Sequence, residues 1–349
     1  MDFLSNRASR RSFLRAGGAL AAMPLARSIV PGRAFAEAGP LRVGMLRAPA
    51  AGVIEIGRSI SAYEAEKVNI DPILFASASG PKILQALGSD SIDLSFVNTT
   101  AALLALAQGA IPLRFISVPT DPSRLFALIG RSGIKSVEEL KGKKVAATEG
   151  TALHYFLARV LAKYGMTLSD IQYVNLPAAQ GQAAFIAGQV DAVVPSVNGR
   201  FYLMSTDKDA REVFTHDRFA TDPEPQAFIN YDLFVTTEKA LDTQGANLKK
   251  FLAAYHGKAV PYLKDAATRQ KAISSITEYI NTEQKNPTDP TIMTQIIDNS
   301  GFYDGNEIKK VMTAPDLREA MEGQVKFFMD LGKIKKAPDL GKSITTDFV

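Results

Sequence analysis

Lys135 to Gly165 reads KSVEELKGKKVAATEGTALHYFLARVLAKYG, and this stretch indicates the fold class of the chain. The residues before Gly142 predict a short helix, with Ser136 and Glu139 at capping-box spacing. Lys143 to Ala147 predicts a strand, TEGT a turn, and the residues after it a longer helix. Open α/β sheets bind ligands where a strand feeds such a turn, because the first N–H groups of the helix point toward an anion.

The same order of strand, turn and helix recurs along the chain and predicts an α/β protein with two lobes. The predicted strands are 41–46, 73–76, 92–97 and 113–118, then 143–147, 171–174, 189–194 and 227–236. Two segments, LQALGSDSIDLSFVN from Leu84 and QAAFIAGQVDAVVPS from Gln182, each read as a helix, a Gly and a strand. This repeated order indicates two similar lobes.

The tail after the last strand is mostly helical and predicts a return of the chain to the first lobe. We therefore expect lobe 1 to comprise residues 41–125 plus 232–349, and lobe 2 residues 126–231. Two crossings, near Phe126 to Arg131 and near Asn230 to Val235, would then join the lobes around a hinged ligand cleft. We expect residues 333–349 to form a loose surface segment.

The first 36 residues predict an export signal. Ser9 to Arg15 reads SRRSFLR, a twin-arginine pattern, and Ala34 to Ala36 reads AFA, an A-x-A cleavage site. A membrane anchor is the alternative, but Pro24, Arg27 and Pro31 interrupt the apolar run that a span of roughly 20 residues needs. We expect export in the folded state to the bacterial periplasm, with cleavage after Ala36.

The composition of the chain argues against several classes of function. The chain has 40 basic and 36 acidic residues, of which residues 1–36 hold six Arg and one acid. Without these residues, the chain has 34 basic and 35 acidic residues and a net charge near −1. No nucleic-acid partner is therefore expected. The chain has no Cys, which removes disulfides, thiolate metal sites and thiol nucleophiles. The isolated His residues show no metal spacing, and neither a G-x-S-x-G nor a Walker A motif occurs, so we expect no metal, no cofactor and no enzyme activity.

Four segments carry a resemblance to a known family. They are LRVGML from Leu41, SGPKILQALGSDSIDLSFVNTT from Ser79, the stretch from Ile134 to Pro177, and AAFIAGQVDAVVPSV from Ala183. They resemble the solute-binding proteins of ABC importers in the nitrate, sulfonate and taurine group, such as the aliphatic-sulfonate-binding type, and this resemblance is specific for the family and not for the ligand. The resemblance implies a type II periplasmic binding protein fold with a ligand cleft between two lobes.

In that family, the loops that follow the first strands of each lobe touch the ligand. Carried over by position, the implied ligand-binding residues are Ser79, Gly80, Thr99, Thr100, Thr148, Thr151, His154, Ser196 and Asn198. Their hydroxyl, amide and backbone N–H groups suit a sulfonate, carboxylate or nitrate. Two departures fall in the expected cleft. Val193 to Asn198 lacks the aromatic residue that relatives often have there, and Pro81 is followed by Lys82 where many relatives have a second Pro.

Several of these residues also have a purely structural interpretation. The Ser, Thr and Gly residues could simply cap helices and close turns. His154 could be a packed core histidine. Arg47 follows the first strand and could pair with an anion or lie in an exposed loop. Asn230, near the second crossing, could line the cleft or bond the hinge backbone.

The leading hypothesis is a periplasmic receptor that closes over a small organic anion and delivers it to an ABC permease and its ATPase. We expect it to act as a monomer. The alternative is an enzyme on the same fold that acts on a thiamine-pyrimidine-type precursor. The enzymes of that kind depend on a cysteine-rich motif, which this chain lacks. A receptor that feeds a sensor instead of a permease would share the same binding site.

Overall fold

The computed structural model describes residues 39–75, 80–219, 228–282 and 287–349. The predicted export signal, residues 1–36, and Ser79 lie outside these residues. The strands of the described part are β1 (Leu41–Met45), β2 (Ile70–Leu74), β3 (Leu94–Asn98), β4 (Leu113–Thr120), β5 (Ala127–Arg131), β6 (Lys144–Ala147), β7 (Gln172–Asn175), β8 (Ala192–Val193), β9 (Ala210–Thr215) and β10 (Asp232–Thr237).

Helices cover both sheets that these strands form. In chain order they are α1 (Pro49–Ser59), α2 (Ala62–Ala65), α3 (Gly80–Gly88), α4 (Thr99–Gln108), α5 (Ala152–Lys163), α6 (Ala178–Ile186), α7 (Val197–Thr206), α8 (Glu238–Ala254), α9 (Val260–Lys264), α10 (Arg269–Asn281), α11 (Pro290–Asp298), α12 (Gly305–Thr313), α13 (Pro315–Asp330) and α14 (Leu340–Ser343). A π-helical turn, Tyr255–Ala259, joins α8 to α9.

The two sheets have the same plan. The first has the order β2-β1-β3-β10-β4 and the second β7-β6-β8-β5-β9. In each sheet the first three strands are parallel and the fourth is antiparallel to both of its neighbours. Each sheet belongs to one lobe, so the prediction of an α/β protein with two lobes is confirmed.

The antiparallel strands explain why the chain crosses between the sheets twice. After β4 the chain leaves the first sheet through residues 121–126 and enters the second sheet as β5. After β9 it returns and enters the first sheet as β10, between β3 and β4. The crossings therefore lie next to the antiparallel strands, near the two positions that the sequence predicts.

Polar caps begin the helices that follow the strands. The side chains of Asn98, Thr151, Ser196 and Thr237 each accept a backbone N–H at the start of α4, α5, α7 and α8. Such a bond satisfies one of the N–H groups that a helix leaves free at its start. Each cap therefore fixes the point at which a strand-end turn becomes a helix.

Aromatic side chains fill the core of the first lobe. The ring of Phe234 on β10 meets Phe251 on α8 with centroids 5.5 Å apart and Tyr255 with centroids 5.0 Å apart. Tyr63 on α2 stacks on Phe251 at 5.2 Å. These rings are buried, and they anchor the helices after β10 on the first sheet. The helical tail thus packs on the first lobe.

Two expectations from the sequence are wrong, and one strand was not predicted. The residues after 333 are not loose: Ile334 and Leu340 are buried, and the Thr345 N–H donates to the carbonyl of Phe115. The stretch before Gly142 holds a single 3₁₀ turn, and the Glu139 carboxylate accepts the N–H of Lys135 instead of closing a capping box. The strand β9 was not predicted, because the exposed charged residues Arg211 and Glu212 near its start conceal the alternation of a strand, whereas β5 coincides with the predicted crossing near Phe126 to Arg131.

No helix in the described ranges is both long and apolar enough to cross a membrane.

Tyr63 provides a test of the core. Its hydroxyl is buried and has no hydrogen-bond partner within the described residues, whereas the Tyr255 hydroxyl reaches the Pro119 carbonyl at 3.5 Å. We expect Tyr63→Phe to raise the free energy of unfolding by about 1 kcal/mol, because it removes a buried polar group that lacks a partner. Urea denaturation measures this effect, with Tyr255→Phe as the control that should be neutral or destabilising. Equal losses of unfolding free energy in Tyr63→Phe and Tyr255→Phe would contradict the conclusion that the Tyr63 hydroxyl has no hydrogen-bond partner.

His256 predicts a pH dependence of stability. Its ring bonds the Ser117 hydroxyl and the Tyr303 carbonyl, each at 2.7 Å, and burial lowers its pKa to about 4. The unfolded chain binds this proton near pH 6.5, so stability falls as the pH decreases from 6.5 toward 4. His256 alone contributes a loss of about 2–3 kcal/mol at pH 4.5 relative to pH 7. Denaturant unfolding measures this contribution as the difference between the wild type and a variant that lacks the titrating ring.

A non-titrating variant isolates this effect. His256→Asn keeps a donor for the Tyr303 carbonyl, so it should lose less stability than the wild type between pH 7 and 4.5. Burial raises the pKa of Asp232 to about 6, which adds a slope of opposite sign in both proteins and cancels in the difference. Parallel curves for the two proteins would contradict the role of His256.

Candidate functional site

The polar turns of both lobes follow the parallel strands. In the first lobe, β1, β2 and β3 lead to α1, α3 and α4, and in the second lobe β6, β7 and β8 lead to α5, α6 and α7. The carboxyl ends of parallel strands meet at one edge of a sheet, which is where open α/β sheets bind ligands. With the exception of Asn230, every predicted site residue in the described ranges lies in or directly after one of these turns.

The turn between β3 and α4 holds Thr99 and Thr100, which are both buried. The Thr99 N–H and hydroxyl both donate to the Tyr231 carbonyl, at 2.8 and 2.9 Å. The Thr100 hydroxyl donates to the side-chain oxygen of Gln324 at 2.7 Å and lies 3.3 Å from that of Asn230. The structure thus brings three predicted residues together, and it uses both threonine hydroxyl hydrogens within the protein.

Asn230 joins the two crossings. Its backbone N–H donates to the Ser123 hydroxyl in the first crossing at 2.9 Å, and its side chain is buried. Gln324 on α13 donates to the neighbouring Ile229 carbonyl, also at 2.9 Å. The backbone of Asn230 is therefore held to the first crossing, while its side-chain oxygen faces the Thr100 hydroxyl. A contact of Asn230 with ligand remains a prediction.

The turn between β6 and α5 holds Thr148 and Thr151. The Thr148 hydroxyl donates to the Leu176 carbonyl at 2.9 Å, and the Thr151 hydroxyl donates to the Thr148 carbonyl at 2.6 Å. Gly150 has a φ of +72°, in the left-handed region that favours glycine. The hydroxyl hydrogens of this turn are used to hold its shape.

His154 lies one turn into α5 and is only 2% exposed. Its Nδ1 accepts the Gly150 N–H at 3.4 Å, and its Nε2 has no partner within the described residues. The ring stacks on Tyr173 with centroids 5.0 Å apart and meets Phe327 edge-on at 5.3 Å. Burial lowers its pKa, against the charge of Glu149, so the ring is neutral at pH 7.

The helix α13 contacts this same turn. Besides its contact with His154, Phe327 lies 5.2 Å from the ring of Tyr155. Just after the helix, Lys333 pairs with Glu149 at 2.8 Å, and this bond lowers the pKa of the Glu149 carboxyl. Since Gln324 bonds the first lobe, α13 connects the strand-end turns of both lobes.

The turn between β8 and α7 is more open to solvent. Ser196 caps α7, where its hydroxyl oxygen accepts the Gly199 N–H at 3.2 Å, and Asn198 is exposed. Both line a cavity of about 550 Å³. The cavity is formed by residues of α6 and α7 (Ala179, Gln182, Ala183, Ile186, Ser196, Asn198, Gly199, Tyr202 and Ser205) and of the segment that leads into α11 (Pro287, Thr288, Asp289 and Ile292).

The remaining predicted residues belong to the first lobe. The guanidinium of Arg47 donates to the Tyr279 carbonyl at 2.7 Å and lies over the Tyr279 ring, 4.8 Å from its centroid. Its charge is therefore already in contact with α10 and is not free in a loop. Gly80 begins α3 with open space around its α-carbon.

Comparisons with known proteins place the chain in a family. The sequence profile of the family described as NMT1/THI5 like matches residues 65–265, more than half of the 349 residues. The chain belongs to the NMT1/THI5-like family.

Two curated relatives of this NMT1/THI5-like chain are binding proteins by name. A putative binding protein from Brucella abortus is 33% identical over 190 residues, which cover 52% of this chain and 54% of the relative. A putative aliphatic sulfonates-binding protein from Escherichia coli is 38% identical over 116 residues, which cover 33% of this chain and 36% of the relative. The matched part thus spans about half the length, or less, of these relatives.

A solved structure extends the likeness of fold over nearly the whole chain. The periplasmic aliphatic sulphonate binding protein SsuA from Escherichia coli superposes with a TM-score of 0.71 at 21% identity. The superposition covers 88% of this chain and 92% of SsuA. The type II periplasmic binding fold inferred from the sequence is therefore confirmed for this NMT1/THI5-like protein.

Sequence reasoning missed the partners of the site residues. Tyr231, Gln324, Tyr173 and Phe327 were not singled out, although each contacts a predicted residue directly. No feature of the sequence distinguishes these four residues, because many other positions on helix and strand faces carry the same residue types. Within the described ranges, no group of three His, Asp or Glu side chains could hold a metal ion.

Gln324 provides a test of the connection between α13 and the turn. We expect Gln324→Leu to lower the free energy of unfolding by about 1–3 kcal/mol, because the buried Thr100 hydroxyl and Ile229 carbonyl lose a partner. Hydrogen exchange should rise in α13 and at the second crossing. Gln295→Leu, at an exposed position of α11, is the matched control and should stay within about 0.5 kcal/mol. Equal effects of the two substitutions would show that the Gln324 bonds contribute little.

Proposed function

We propose that this protein is the periplasmic substrate-binding component of an ABC importer. It would capture a small organic anion by closure of its lobes and deliver it to a membrane permease and its ATPase. One observation carries the proposal: a cavity of about 550 Å³ lies between residues of the two sets that carry the two equivalent sheets. It is lined on one side by the strand-end turn that holds Ser196 and Asn198, and on the other by Thr288 and Asp289, which precede α11 in the helical tail. Such a site binds its ligand fully only when both lobes contribute.

The lobes that would move are residues 41–125 plus 232–349 and residues 126–231. The strands of each sheet fall within one of these sets. A ligand that contacts both sets only in the closed form would shift the population toward closure by the difference in contact energy. The bonds that join Asn230 to Ser123 would keep the two crossings in register during this motion.

The proposed ligand site combines helix N-termini with polar side chains. Its candidate residues remain Arg47, Ser79, Gly80, Thr99, Thr100, Thr148, Thr151, His154, Ser196, Asn198 and Asn230. The exposed Ser196 and Asn198 would bond the ligand directly, whereas the threonines would act through backbone groups, since their hydroxyls already donate within the protein. The positive ends of the helix dipoles favour an anion.

We propose an alkanesulfonate as the ligand class, ahead of taurine and nitrate. The support is the name of the relative that is 38% identical over 116 residues, a putative aliphatic sulfonates-binding protein. A cavity of about 550 Å³ with apolar side chains such as Ile186 and Tyr202 also suits an organic chain better than a bare ion.

The cellular context of the proposal comes from the sequence. The twin-arginine pattern and the A-x-A site predict export to the periplasm with cleavage after Ala36. We propose a monomer that needs no cofactor and catalyses no reaction. A fold does not decide function, and an enzyme that acts on a thiamine-pyrimidine-type precursor is the alternative that the experiment below includes.

A thermal-shift screen tests the proposal. The purified protein is unfolded and refolded to remove bound ligand, then heated with nitrate, taurine, alkanesulfonates, aromatic sulfonates, carboxylates and thiamine-pyrimidine precursors. At 100 times the dissociation constant, a ligand adds about 2.7 kcal/mol of stability. We expect alkanesulfonates to give the largest upward shift in melting temperature.

Paired variants locate the site. Ser196→Ala/Asn198→Ala should reduce the shift that the ligand induces, whereas Ser274→Ala/Asn306→Ala, at exposed positions of α10 and α12, should leave it unchanged. The shift is compared within each variant, because loss of the Ser196 cap also lowers basal stability by about 1 kcal/mol. A response to thiamine-pyrimidine precursors alone would favour the enzyme alternative, and a response to no anion would refute the ligand class.

A further inference from the structure

The described residues contain two buried side-chain polar atoms that lack a hydrogen-bond partner, the Tyr63 hydroxyl and His154 Nε2. Tyr63 lies in the core of the first lobe, stacked on Phe251. His154 instead belongs to the strand-end turn after β6. A buried polar group without a partner costs about 1–3 kcal/mol, so one that persists at a candidate site calls for a functional explanation.

The hydrogen bond of the other ring nitrogen fixes the tautomer of His154. Nδ1 faces the Gly150 N–H, which can only donate, so Nδ1 must be the acceptor. In a neutral ring the proton is then on Nε2. Burial lowers the pKa of His154, which keeps the ring neutral at pH 7. Nε2 of His154 therefore carries an N–H donor that lacks an acceptor.

The neighbours of His154 cannot supply that acceptor. The Tyr173 ring stacks on the imidazole face, and its hydroxyl donates to the Ala147 carbonyl. The nearest carboxylate, Glu149, pairs with Lys333 and also accepts from the Asn175 side chain. The remaining ring contact is Phe327, which offers no oxygen or nitrogen.

The other side-chain donors of the same turn are already in use. Within residues 148–154, only Thr148, Thr151 and His154 carry a side-chain hydrogen-bond donor, and both threonine hydroxyls donate to backbone carbonyls. Because β6 pairs with β8 in parallel, this turn ends at the same sheet edge as the turn that holds Ser196 and Asn198. His154 is thus the free donor next to the cavity-lining turn.

We propose that the Nε2–H of His154 is the donor by which the second lobe holds an oxyanion of the ligand, a sulfonate or carboxylate oxygen. This inference rests on the proposed function and gives one residue a defined role in it. Phe327 covers the ring in the present arrangement, and α13 bonds the first lobe through Gln324. Separation of the lobes would therefore uncover Nε2 to an entering ligand, and closure would then pack Phe327 against the bound ligand instead of against the ring.

Three substitutions separate the donor from the rest of the ring. His154→Phe keeps an aromatic ring against Tyr173 but has no donor. His154→Asn places an oxygen near the Nδ1 position and has no group at Nε2. His154→Gln reaches the Nε2 position with an amide N–H. Tyr173→Phe is the control, because it preserves the stacked ring and changes only a hydroxyl that bonds Ala147.

The binding test uses calorimetric titration with butanesulfonate, benzenesulfonate and butyrate. We expect His154→Phe and His154→Asn to weaken binding by about 10- to 100-fold, the range for a lost hydrogen bond to a charged group. We expect His154→Gln and Tyr173→Phe to stay within about fivefold of the wild type, less than 1 kcal/mol.

A second readout needs no variant. The chain has three His residues, so nitrogen NMR resolves each ring. We expect the Nε2–H tautomer for His154 in the free protein, and a downfield shift of that proton when the sulfonate binds. A purely structural histidine would show no such change. This measurement decides the question even where a His154 variant fails to fold.

The outcomes distinguish the inference from the proposed function. Suppose that the wild type binds a probe. If His154→Phe then binds it with equal affinity, or if the Nε2 proton does not shift, the role of His154 is refuted and the proposed receptor function still stands. An Nδ1–H tautomer in the free protein refutes the role of His154 as well. Absence of binding to all three probes rejects the anionic ligand class and, with it, the role of His154.

Discussion

The insertion of β10 between β3 and β4 is the constraint on which the rest of the structure depends. This strand comes last among the described strands, yet it pairs along its length with the early strands β3 and β4. The chain must therefore leave the first sheet, build the second and return. The two crossings, the two lobes and the space between them follow from that pairing, because backbone hydrogen bonds of a central strand cannot be left unpaired.

The strand-end turns show how this framework prepares a site. Their hydroxyls hold backbone carbonyls from other segments, as in the bond from Thr99 to Tyr231 and the bond from Thr148 to Leu176. Such bonds fix the direction of the helix starts before any ligand arrives, which reduces the ordering cost of binding. Among the described residues of these turns, the polar side chains that remain available include Ser196 and Asn198 at the surface and His154 in the interior.

The helix α13 adds a connection between the lobes besides the two crossings. Gln324 bonds the turn after β3, while Phe327 and Lys333 contact the turn after β6. The contact with the second lobe combines two ring contacts of Phe327, with His154 and Tyr155, and one half-exposed ion pair, each worth little by itself. A contact of this strength can hold the lobes together and still yield to lobe separation, which is the behaviour that the proposed receptor function requires.

The sequence by itself determined the order of the strands and helices, the two-lobed α/β fold and the turns at which polar residues gather. These features depend on periodicity, caps and glycines within about ten residues, so a local pattern is enough to predict them. The sequence also predicted that Thr99, Thr148, Ser196 and their neighbours belong to those turns. The strand β9 was missed because exposed charges at its start conceal the alternation of a strand.

Only the tertiary structure decided what those polar residues bond. Thr100 meets Gln324 across 224 positions of sequence, and the imidazole of His154 meets Phe327 on a helix of the other lobe. The packed tail after residue 333 depends in the same way on a distant strand, β4. A hydrogen bond or a buried ring contact is a property of two groups in space. Whether a hydroxyl is used or free therefore follows from the packing of remote segments, which no local pattern contains.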